Sequence, residues 1–277
     1  MDGVVYIQPI FAPDARQFER NRRSLESFAD YLAAYPCERP LRAVFGGWGR
    51  EPFVGEIARL IADRFPDAVV RLYERNFGKA HVVNDLYDTV VKGRMPETRY
   101  LLLADSDIAY PLDRPRLIDR LVDAAERFSA LVGKPFGLLA PDQLEGNVHN
   151  PCIHDHTVIV PGCLGGEETI VHPDWAAGIA GGCWLTSRQT WEMVGGYRRM
   201  GVYAGEDGQY LRDVGGKGLS YGVAKTIPVI HPREDDGEYA QWKVSMCHRD
   251  SDGRTDKDHG GLVAEAEAFW DQRDALV

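Results

Sequence analysis

Short apolar runs alternate along the first 140 residues with longer segments in which apolar residues recur every three or four positions. A run of about five apolar residues predicts a buried strand, and the longer spacing predicts an amphipathic helix. Because strands alternate with helices, the pattern predicts an α/β fold with a mostly parallel, doubly wound central sheet flanked by helices. The predicted strands are 4–7, 41–45, 69–73, 100–104 and 136–140, and the predicted helices are 14–32, 53–65, 79–91 and 115–132.

Residues that commonly interrupt strands follow the first two of these runs. Pro9 is expected to end the first strand, and the segment 46–49 is expected to form a glycine-rich turn after the second. Ligands of doubly wound sheets bind beyond the carboxyl ends of the strands, so the sequence predicts one crevice formed by four strand ends. The residues expected at these ends are Pro9, Gly46, Asn76 and Asp105.

The pattern weakens after residue 140. The segment 141–177 has no clear period and is too long for an ordinary connection, so we interpret it as an insertion that forms an acceptor loop or a lid. The chain has no internal repeat and no clear linker, which predicts a single domain over 1–277. The remaining predicted elements are helices at 185–194 and 206–214, a strand at 227–230, and a C-terminal helix at 262–276.

The composition indicates a globular protein, since 44% of the 277 residues are hydrophobic and can fill a sizeable core. No window approaches the length of a membrane span and the start lacks the pattern of a signal peptide, so we expect a soluble, cytoplasmic protein. The five scattered cysteines suggest reduced thiols. A net charge of -10 argues against a generally basic nucleic-acid surface, although Arg20, Arg22 and Arg23 could form a local basic groove.

The tripeptide Asp105-Ser106-Asp107 stands directly after the apolar run 100–104. Two carboxylates two residues apart project from one face of an extended strand end, and a hard divalent cation with bound phosphates requires such oxygen ligands. The same tripeptide recurs at 250–252, but it lies there in a polar stretch with no strand ahead of it, which favours a solvated loop. The first copy therefore predicts a metal-diphosphate site.

A second cluster of metal-ligand residue types lies within the predicted insertion. Thiolates and imidazoles are the ligands of zinc, but the spacing here matches no zinc finger or ribbon. We therefore favour polar residues of an acceptor loop over a zinc site. The four residues are Cys152, His154, His156 and Cys163.

Six short motifs follow one another in a defined order. They are Asn76-Phe77-Gly78-Lys79-Ala80 with Asn84, Asp105-Ser106-Asp107, Gly181-Gly182-Cys183-Trp184-Leu185, Val194-Gly195-Gly196-Tyr197, Gly205-Glu206-Asp207, and His231. In order and spacing they resemble the GT-A fold glycosyltransferases, most closely the large inverting family that includes cellulose- and chitin-synthase relatives. The resemblance spans roughly residues 3–232 and implies a Rossmann-like GT-A fold, with 1–110 as the nucleotide-sugar-binding half and 111–277 as the acceptor-binding and catalytic half.

The resemblance implies a metal site. Asp105 and Asp107 would hold Mn²⁺ or Mg²⁺ on the diphosphate of a nucleotide sugar, and His231 would be the third protein ligand. As a nucleoside diphosphate leaves the sugar, negative charge grows on its oxygens, and a bound cation neutralises that charge. One imidazole among oxygen ligands suits Mn²⁺ somewhat better than Mg²⁺. The alternative for His231 is a structural histidine at a strand end.

The resemblance also implies the catalytic pair. Asp207 would be the general base, and Glu206 would orient the acceptor or its partner groups. An acceptor hydroxyl is a poor nucleophile at neutral pH until its proton is accepted, so a positioned carboxylate is needed. The alternative is a carboxylate that only caps a helix or interacts with its dipole.

The donor-binding residues implied by the resemblance are Asn76, Lys79 and Asp105, and Pro9 and Phe11 would border the nucleoside. Lys79 would offer a charge to phosphate or hold the helix start. The alternative for Asn76 and Lys79 is an ordinary strand-to-helix turn with a solvated lysine. The alternatives for Pro9 and Phe11 are a turn residue and an aromatic residue of the core. A UDP-sugar is the expected donor. However, many relatives carry an acidic residue after the second strand that contacts the base, and this chain has no such residue in Phe45-Gly46-Gly47-Trp48-Gly49-Arg50. The nucleobase therefore stays open.

Together these features predict the transfer of one sugar from a nucleotide donor to an acceptor hydroxyl, with inversion implied by the resemblance only. The Q-x-x-R-W signature of processive relatives is missing, so we expect a non-processive enzyme. A glycan, a small molecule, a lipid-linked carrier and a hydroxymethylated pyrimidine in DNA all remain candidate acceptors, and the net charge disfavours DNA. The alternatives are a sugar-phosphate nucleotidyltransferase and a noncatalytic nucleotide-sugar-binding protein.

Overall fold

A computed structural model describes residues 2–74, 76–144, 156–172, 179–198 and 205–232. Within these residues the strands are β1 (Gly3–Ala12), β2 (Leu41–Gly49), β3 (Val69–Tyr73), β4 (Thr98–Ala104), β5 (Phe136–Leu144), β6 (His156–Cys163), β7 (Gly166–His172), β8 (Cys183–Ser187) and β9 (Ser220–Ile230). The helices are α1 (Ala15–Ala34), α2 (Phe53–Arg64), α3 (Gly78–Leu86), α4 (Lys92–Arg94), α5 (Leu117–Val132), α6 (Arg188–Val194) and α7 (Glu206–Gly216), and a π-helical turn at Tyr87–Val91 joins α3 to α4. The predicted helix at 262–276 lies outside the described residues.

The strands form one sheet in the order β3-β2-β1-β4-β8-β5-β9-β7-β6. The first four strands in this order are parallel to one another, and β5 is parallel to β9. However, β8 is antiparallel to both β4 and β5, and the pairs β7–β9 and β6–β7 are also antiparallel. The fold is α/β as predicted, but the sheet is mixed, so a mostly parallel sheet is not confirmed.

Two apolar layers cover the faces of the sheet. One layer contains buried residues of α1, α2 and α5, and the other contains buried residues of α3, α6 and α7. Asp14 caps α1 as predicted, because its side chain accepts a hydrogen bond of 2.8 Å from the backbone N–H of Gln17. Helices on both faces leave the ends of the strands as the open edges where a ligand can bind.

The first two strands extend farther than predicted. β1 continues through Pro9 to Ala12, and β2 includes all of the glycine-rich segment 46–49. At Pro9 the strand pairs with β2 but no longer with β4, so the missing N–H affects the hydrogen bonds of one neighbour only. Gly46 is needed for packing, because a Cβ at this position would lie 2.5 Å from Val82 of α3. These residues therefore do not end the strands.

Two further segments differ from the prediction. Residues 183–187, some of which were expected to begin a helix, form the strand β8. The helix α6 begins after Ser187, whose side chain caps it by accepting a hydrogen bond from the backbone N–H of Thr190. The weakly patterned segment 141–177 contains the end of β5 and the β6–β7 hairpin. The hairpin is at the edge of the sheet and most of β6 is solvent-exposed, so its sequence lacks the alternation of a half-buried strand.

In the described part of the chain, no helix has the length and apolar character that crossing a bilayer requires.

Candidate active site

The polar side chains singled out in the sequence meet at one edge of the sheet. Asp105 directly follows β4, and its backbone N–H donates a hydrogen bond of 2.7 Å to the carbonyl of Gly182, just before β8. The buried side chain of Gln8, on β1, donates to the carbonyl of Asp105 over 3.0 Å. One main-chain hydrogen bond and one buried amide side chain therefore hold Asp105 in place between β1 and β8, the neighbours of β4.

Lys79 joins this segment to the start of α7. Its Nζ lies 2.6 Å from Asp105 Oδ1 and 2.9 Å from Asp207 Oδ2, and it reaches the carbonyl of Gly181 over 3.4 Å. Burial would lower the pKa of Lys79, but the charges of Asp105 and Asp207 outweigh it and hold that pKa well above its usual value. Burial raises the pKa of Asp105, which Lys79 opposes. A single ammonium group thus pairs with a candidate metal ligand and with the candidate base.

Asp107 lies between a cation and an imidazole. Its Oδ2 is 2.5 Å from Nη2 of Arg20, on α1, and 3.4 Å from Nε2 of His231, just after β9. Burial would lower the pKa of His231, but the hydrogen bond and charge of Asp107 outweigh it and raise that pKa above its usual value. The structure therefore brings together Asp107 and His231, which are far apart in sequence.

Main-chain hydrogen bonds set the spacing of these two segments. Ala109 and Ile230 form an isolated antiparallel bridge, with N–H to carbonyl distances of 2.8 and 2.9 Å. The next residue, His231, donates its backbone N–H to the carbonyl of Leu144 over 2.9 Å. The loop after β4 and the end of β9 are thereby held side by side.

Asp207 stands in the first turn of α7. Its Oδ1 accepts a hydrogen bond of 2.8 Å from the hydroxyl of Tyr197, while Oδ2 contacts Lys79. Tyr197 is itself fixed, because its backbone carbonyl accepts a hydrogen bond from the Asn84 side chain over 2.8 Å and its N–H donates to the same side chain over 3.0 Å. Both oxygens of Asp207 are therefore held, while 25% of its side chain stays exposed.

Gly181 lies against Asp207 so closely that no larger residue fits. A Cβ at this position would lie 2.4 Å from the Cβ, Cγ and Oδ2 of Asp207, so Gly181→Ala must displace the carboxylate. From the predicted role of Asp207 as a general base, we expect turnover to fall by about 10²-fold, because a displacement of about 1 Å in a catalytic group causes a loss of that size. Steady-state kinetics on Gly181→Ala, with thermal melting to confirm folding, checks this expectation.

Gly216→Ala is the matched control for this substitution. Gly216 ends α7, and a Cβ there meets no atom within 4 Å, so turnover should remain at the wild-type level. Wild-type turnover in a folded Gly181→Ala variant would show that the observed position of Asp207 is not required.

Glu206, the other member of the acidic pair, is only 4% exposed. Burial raises its pKa to about 7, and the neighbouring charge of Asp207 acts in the same direction. At neutral pH Glu206 is thus present in both protonation states. A protonated Glu206 can donate a hydrogen bond as well as accept one.

The predicted donor-binding residues differ in what their side chains contact. Phe11 stacks on Trp48, the residue opposite it on β2, with ring centroids 5.7 Å apart. Asn76 accepts a hydrogen bond of 3.0 Å from the backbone N–H of Gly78 at the start of α3, as expected of a strand-to-helix turn. Pro9 is buried within β1. Lys79 and Asp105, by contrast, present their charged groups to each other in the crevice.

The carboxylates and imidazole fit a divalent cation by their chemistry. Among the described residues no three histidine, cysteine or acidic side chains converge in a ready-made metal-binding arrangement. Nevertheless, Asp107 and His231 already lie within 3.4 Å of each other, and Nδ1 of His231 is buried without a hydrogen-bond partner in the described structure. A second orphaned acceptor, Oε1 of Gln143, lies beside the same segment. Oxygen donors with one imidazole are suitable ligands for Mn²⁺.

The described residues include only part of the other cation-binding side chains considered in the sequence. Of the four candidate zinc ligands, Cys152 and His154 lie outside the described residues, as does the second aspartate tripeptide at 250–252. His156 and Cys163 lie at opposite ends of β6, roughly 20 Å apart by the rise of a strand, so they cannot bind one ion.

The three arginines that could form a local basic groove, Arg20, Arg22 and Arg23, all lie on α1. Arg20 pairs with Asp107, Arg22 pairs with Glu19 and Glu26, and Arg23 pairs with Glu19. Each of the three guanidinium groups thus has a carboxylate partner, so they do not form an unpaired positive surface for phosphates.

Three residues that hold the site together were not predicted in this role from the sequence. Gln8 holds the segment after β4, Arg20 pairs with Asp107, and Gln143 donates to the carbonyls of Ala180 and Cys183 over 2.9 and 3.2 Å. A glutamine inside an apolar strand, as at Gln8, was the available signal, because a buried amide needs partners. The pairing of Arg20 had no comparable signal, since its partner lies 87 positions away.

Two solved glycosyltransferases have a similar fold. Mannosyltransferase PcManGT from Pyrobaculum calidifontis, in complex with GDP-Man and Mn²⁺, has a TM-score of 0.55 and 15% identity, over 96% of this chain and 69% of that one. GalNAc-T7, with UDP, GalNAc and Mn²⁺, has a TM-score of 0.56 and 10% identity, over 84% of this chain and 44% of that one. The present chain thus spans less than half of GalNAc-T7. No family model and no curated protein matches this chain.

These similarities show that the chain has the fold of GT-A-type glycosyltransferases. At such low identity they establish the fold alone, and fold does not determine function. The more specific resemblance to the cellulose- and chitin-synthase group is not confirmed.

Proposed function

We propose that this chain is a divalent-metal-dependent glycosyltransferase that moves one sugar from a nucleotide-diphosphate sugar to an acceptor hydroxyl. The observation that carries the proposal is the gathering of acidic groups in one crevice of a GT-A-type fold. Asp105 and Asp207 are joined through Lys79 over 2.6 and 2.9 Å, and Asp107 lies 3.4 Å from His231. A noncatalytic nucleotide-binding protein would have no use for a carboxylate held at the position of Asp207.

Three residues would hold the cation, namely Asp105, Asp107 and His231. When bound, Mn²⁺ or Mg²⁺ neutralises the negative charge that develops on the leaving diphosphate. The ligands come from the ends of β4 and β9, so both predicted halves of the domain contribute to the site. The bridge between Ala109 and Ile230 keeps the two segments together.

Asp207 would act as the general base of the transfer. A bond forms between the acceptor oxygen and the anomeric carbon, and the bond from that carbon to the diphosphate oxygen breaks. The nucleoside diphosphate leaves with the electron pair, and the acceptor proton passes to Asp207. Direct displacement of this kind inverts the anomeric configuration. Tyr197 and Lys79 hold the carboxylate in place, and Glu206 stands beside it to orient the acceptor.

The donor would lie along the ends of β1 and β4. Phe11 and the neighbouring Trp48 would border the nucleoside, Asn76 would hold the turn before α3, and Lys79 would present its charge toward the phosphates. A UDP-sugar remains the donor that we propose, with a GDP-sugar as the first alternative to test. Because the local arginines of α1 are already paired, a glycan or a small molecule is a better acceptor candidate than DNA.

A donor screen tests this proposal. The purified protein is incubated with UDP- and GDP-sugars, and nucleoside diphosphate is measured with Mn²⁺ present, after chelation, and after Mn²⁺ is restored. We expect release that stops on chelation and returns with the metal, because water can serve as a slow acceptor. Pyrophosphate as the product would instead establish nucleotidyl transfer, and release unaffected by chelation would contradict metal dependence.

A further inference from the structure

In the described structure, each of the two aspartates proposed as metal ligands is already paired with a positively charged side chain. Lys79 lies 2.6 Å from Asp105, and Arg20 lies 2.5 Å from Asp107. Both cationic side chains are largely shielded, with 14% of Lys79 and 19% of Arg20 exposed. Coulomb interactions between such shielded groups are stronger than those on an open surface. The two carboxylates are therefore not free to receive a metal ion unopposed.

The local charge balance opposes the binding of a metal ion alone. Asp105, Asp107 and Asp207 face Lys79 and Arg20 in direct pairs, which leaves one net negative charge. A divalent ion would make this cluster positive and would lie beside an ammonium group and a guanidinium group. A diphosphate brings at least two negative charges, which offset the added ion and offer new partners to both side chains.

We infer that Lys79 and Arg20 are internal counter-ions of the metal site. They pair with Asp105 and Asp107 until a nucleotide diphosphate binds, and they thereby couple the binding of the metal to the binding of the nucleotide. When the donor binds, the side chains of Lys79 and Arg20 leave the aspartates and pair with the diphosphate oxygens. Lys79 thereby also releases Oδ2 of Asp207 toward the acceptor. This inference rests on the proposed function and adds to it an order of binding that donor release alone does not reveal.

Coupling between two ligands is reciprocal and is measured as a change in affinity. Mn²⁺ binding to the wild-type protein can be followed by the loss of the free-ion signal in electron paramagnetic resonance. The titration is made without a ligand and then with saturating UDP, GDP or methylenediphosphonate, and the Mn²⁺ that each ligand binds in solution is subtracted by a matched titration without protein. We expect at least one of these ligands to tighten Mn²⁺ binding by on the order of tenfold or more. Equal Mn²⁺ affinity with and without a bound ligand would overturn the inference.

Neutral variants test the two side chains separately. Lys79→Met and Arg20→Met remove a positive charge but keep much of the side-chain volume. Each should raise the affinity for Mn²⁺ in the absence of nucleotide by on the order of tenfold and should reduce the coupling with nucleotide. Lys79→Arg, which keeps the charge, should retain more of the coupling than Lys79→Met. A merely structural role for these residues would not tighten metal binding.

Two matched controls separate this effect from a general loss of ion pairs. Lys225 forms a lysine–aspartate pair of 2.5 Å with Asp142 away from the crevice, and Arg22 lies on the same helix as Arg20 but pairs with Glu19 and Glu26. Lys225→Met and Arg22→Met should bind Mn²⁺ like the wild-type protein. If folded Lys79→Met and Arg20→Met also bind Mn²⁺ no more tightly than the wild-type protein does, the inference fails while the proposed function stands.

The two proposals fail in different ways. If Mn²⁺ binds to neither the wild-type protein nor the variants, with or without any of the three ligands, the metal assignment of the proposed function fails, and the inference fails with it. If the variants do not fold, equal Mn²⁺ affinity of the wild-type protein with and without a bound ligand would still overturn the inference.

Discussion

Asp207→Asn is expected to reduce turnover by about 10³-fold, within the range by which a positioned general base accelerates proton transfer. Asparagine can still accept a hydrogen bond from Lys79 through its oxygen and can donate one from its amide nitrogen to the hydroxyl of Tyr197, two groups that now lie 2.9 and 2.8 Å from the carboxylate, so the geometry should survive. The amide cannot accept the acceptor's proton. Nucleoside diphosphate release reports turnover, and calorimetric titration of the donor should give a dissociation constant close to that of the wild-type protein.

Asp213→Asn is the control in the same helix. Asp213 pairs with Arg198 over 2.5 Å and takes no part in the proposed site, so its replacement should leave turnover unchanged. If Asp207→Asn kept turnover within about threefold of the wild-type value, the base would have to be another group, because a lost base costs at least about 10²-fold. Glu206→Gln would then be the next variant to measure.

The double variant Asp105→Asn, Asp107→Asn should lose about 10²- to 10³-fold in turnover, because a metal ion contributes several kcal/mol to the charge stabilisation of the leaving group. Asparagine is preferred to alanine because it still offers an oxygen to Lys79 and Arg20, whose pairs of 2.6 and 2.5 Å would otherwise be lost. The remaining activity should no longer respond to Mn²⁺ or to chelation. Donor-release kinetics at increasing Mn²⁺ concentrations would measure both effects.

Asp142→Asn serves as the comparison, because it breaks a lysine–aspartate pair of similar length outside the site. This variant should keep the turnover and the Mn²⁺ response of the wild-type protein. A double variant that still responded to Mn²⁺ would place the metal elsewhere and would remove Asp105 and Asp107 from the proposed ligands.

Local sequence patterns predicted much of the secondary structure but not the arrangement of the second half of the sheet. The helices that contain α2 and α5 follow from apolar spacing, because each buries one face against the same layer, and the predicted strand at 69–73 matches β3. Pro9 and Gly46 were misleading, since they disrupt isolated strands but are accommodated where β1 has one partner and where α3 packs on β2. The position of β8 between β4 and β5 depends on pairing between distant segments, which no local period encodes.

In the candidate site, too, local sequence patterns indicated single residues but not the contacts between distant segments. The residues with recognisable motifs, such as Asp105, Asp207 and His231, could be selected from the sequence because their residue types suit the chemistry. Their roles remain proposals. The pairings between side chains could not be predicted, because Lys79 reaches Asp207 across 128 positions and Arg20 reaches Asp107 across 87. Such contacts are set by the order of strands in the sheet rather than by neighbouring residues.

The bridge between Ala109 and Ile230 has a consequence for how freely this crevice can vary in sequence. Its two hydrogen bonds involve only main-chain atoms, which every residue except proline can supply in full. Side chains at both positions can therefore change during evolution while the gap between the aspartate loop and the histidine keeps its width. Conversely, a proline at either position would remove a donor and widen that gap without touching any charged group.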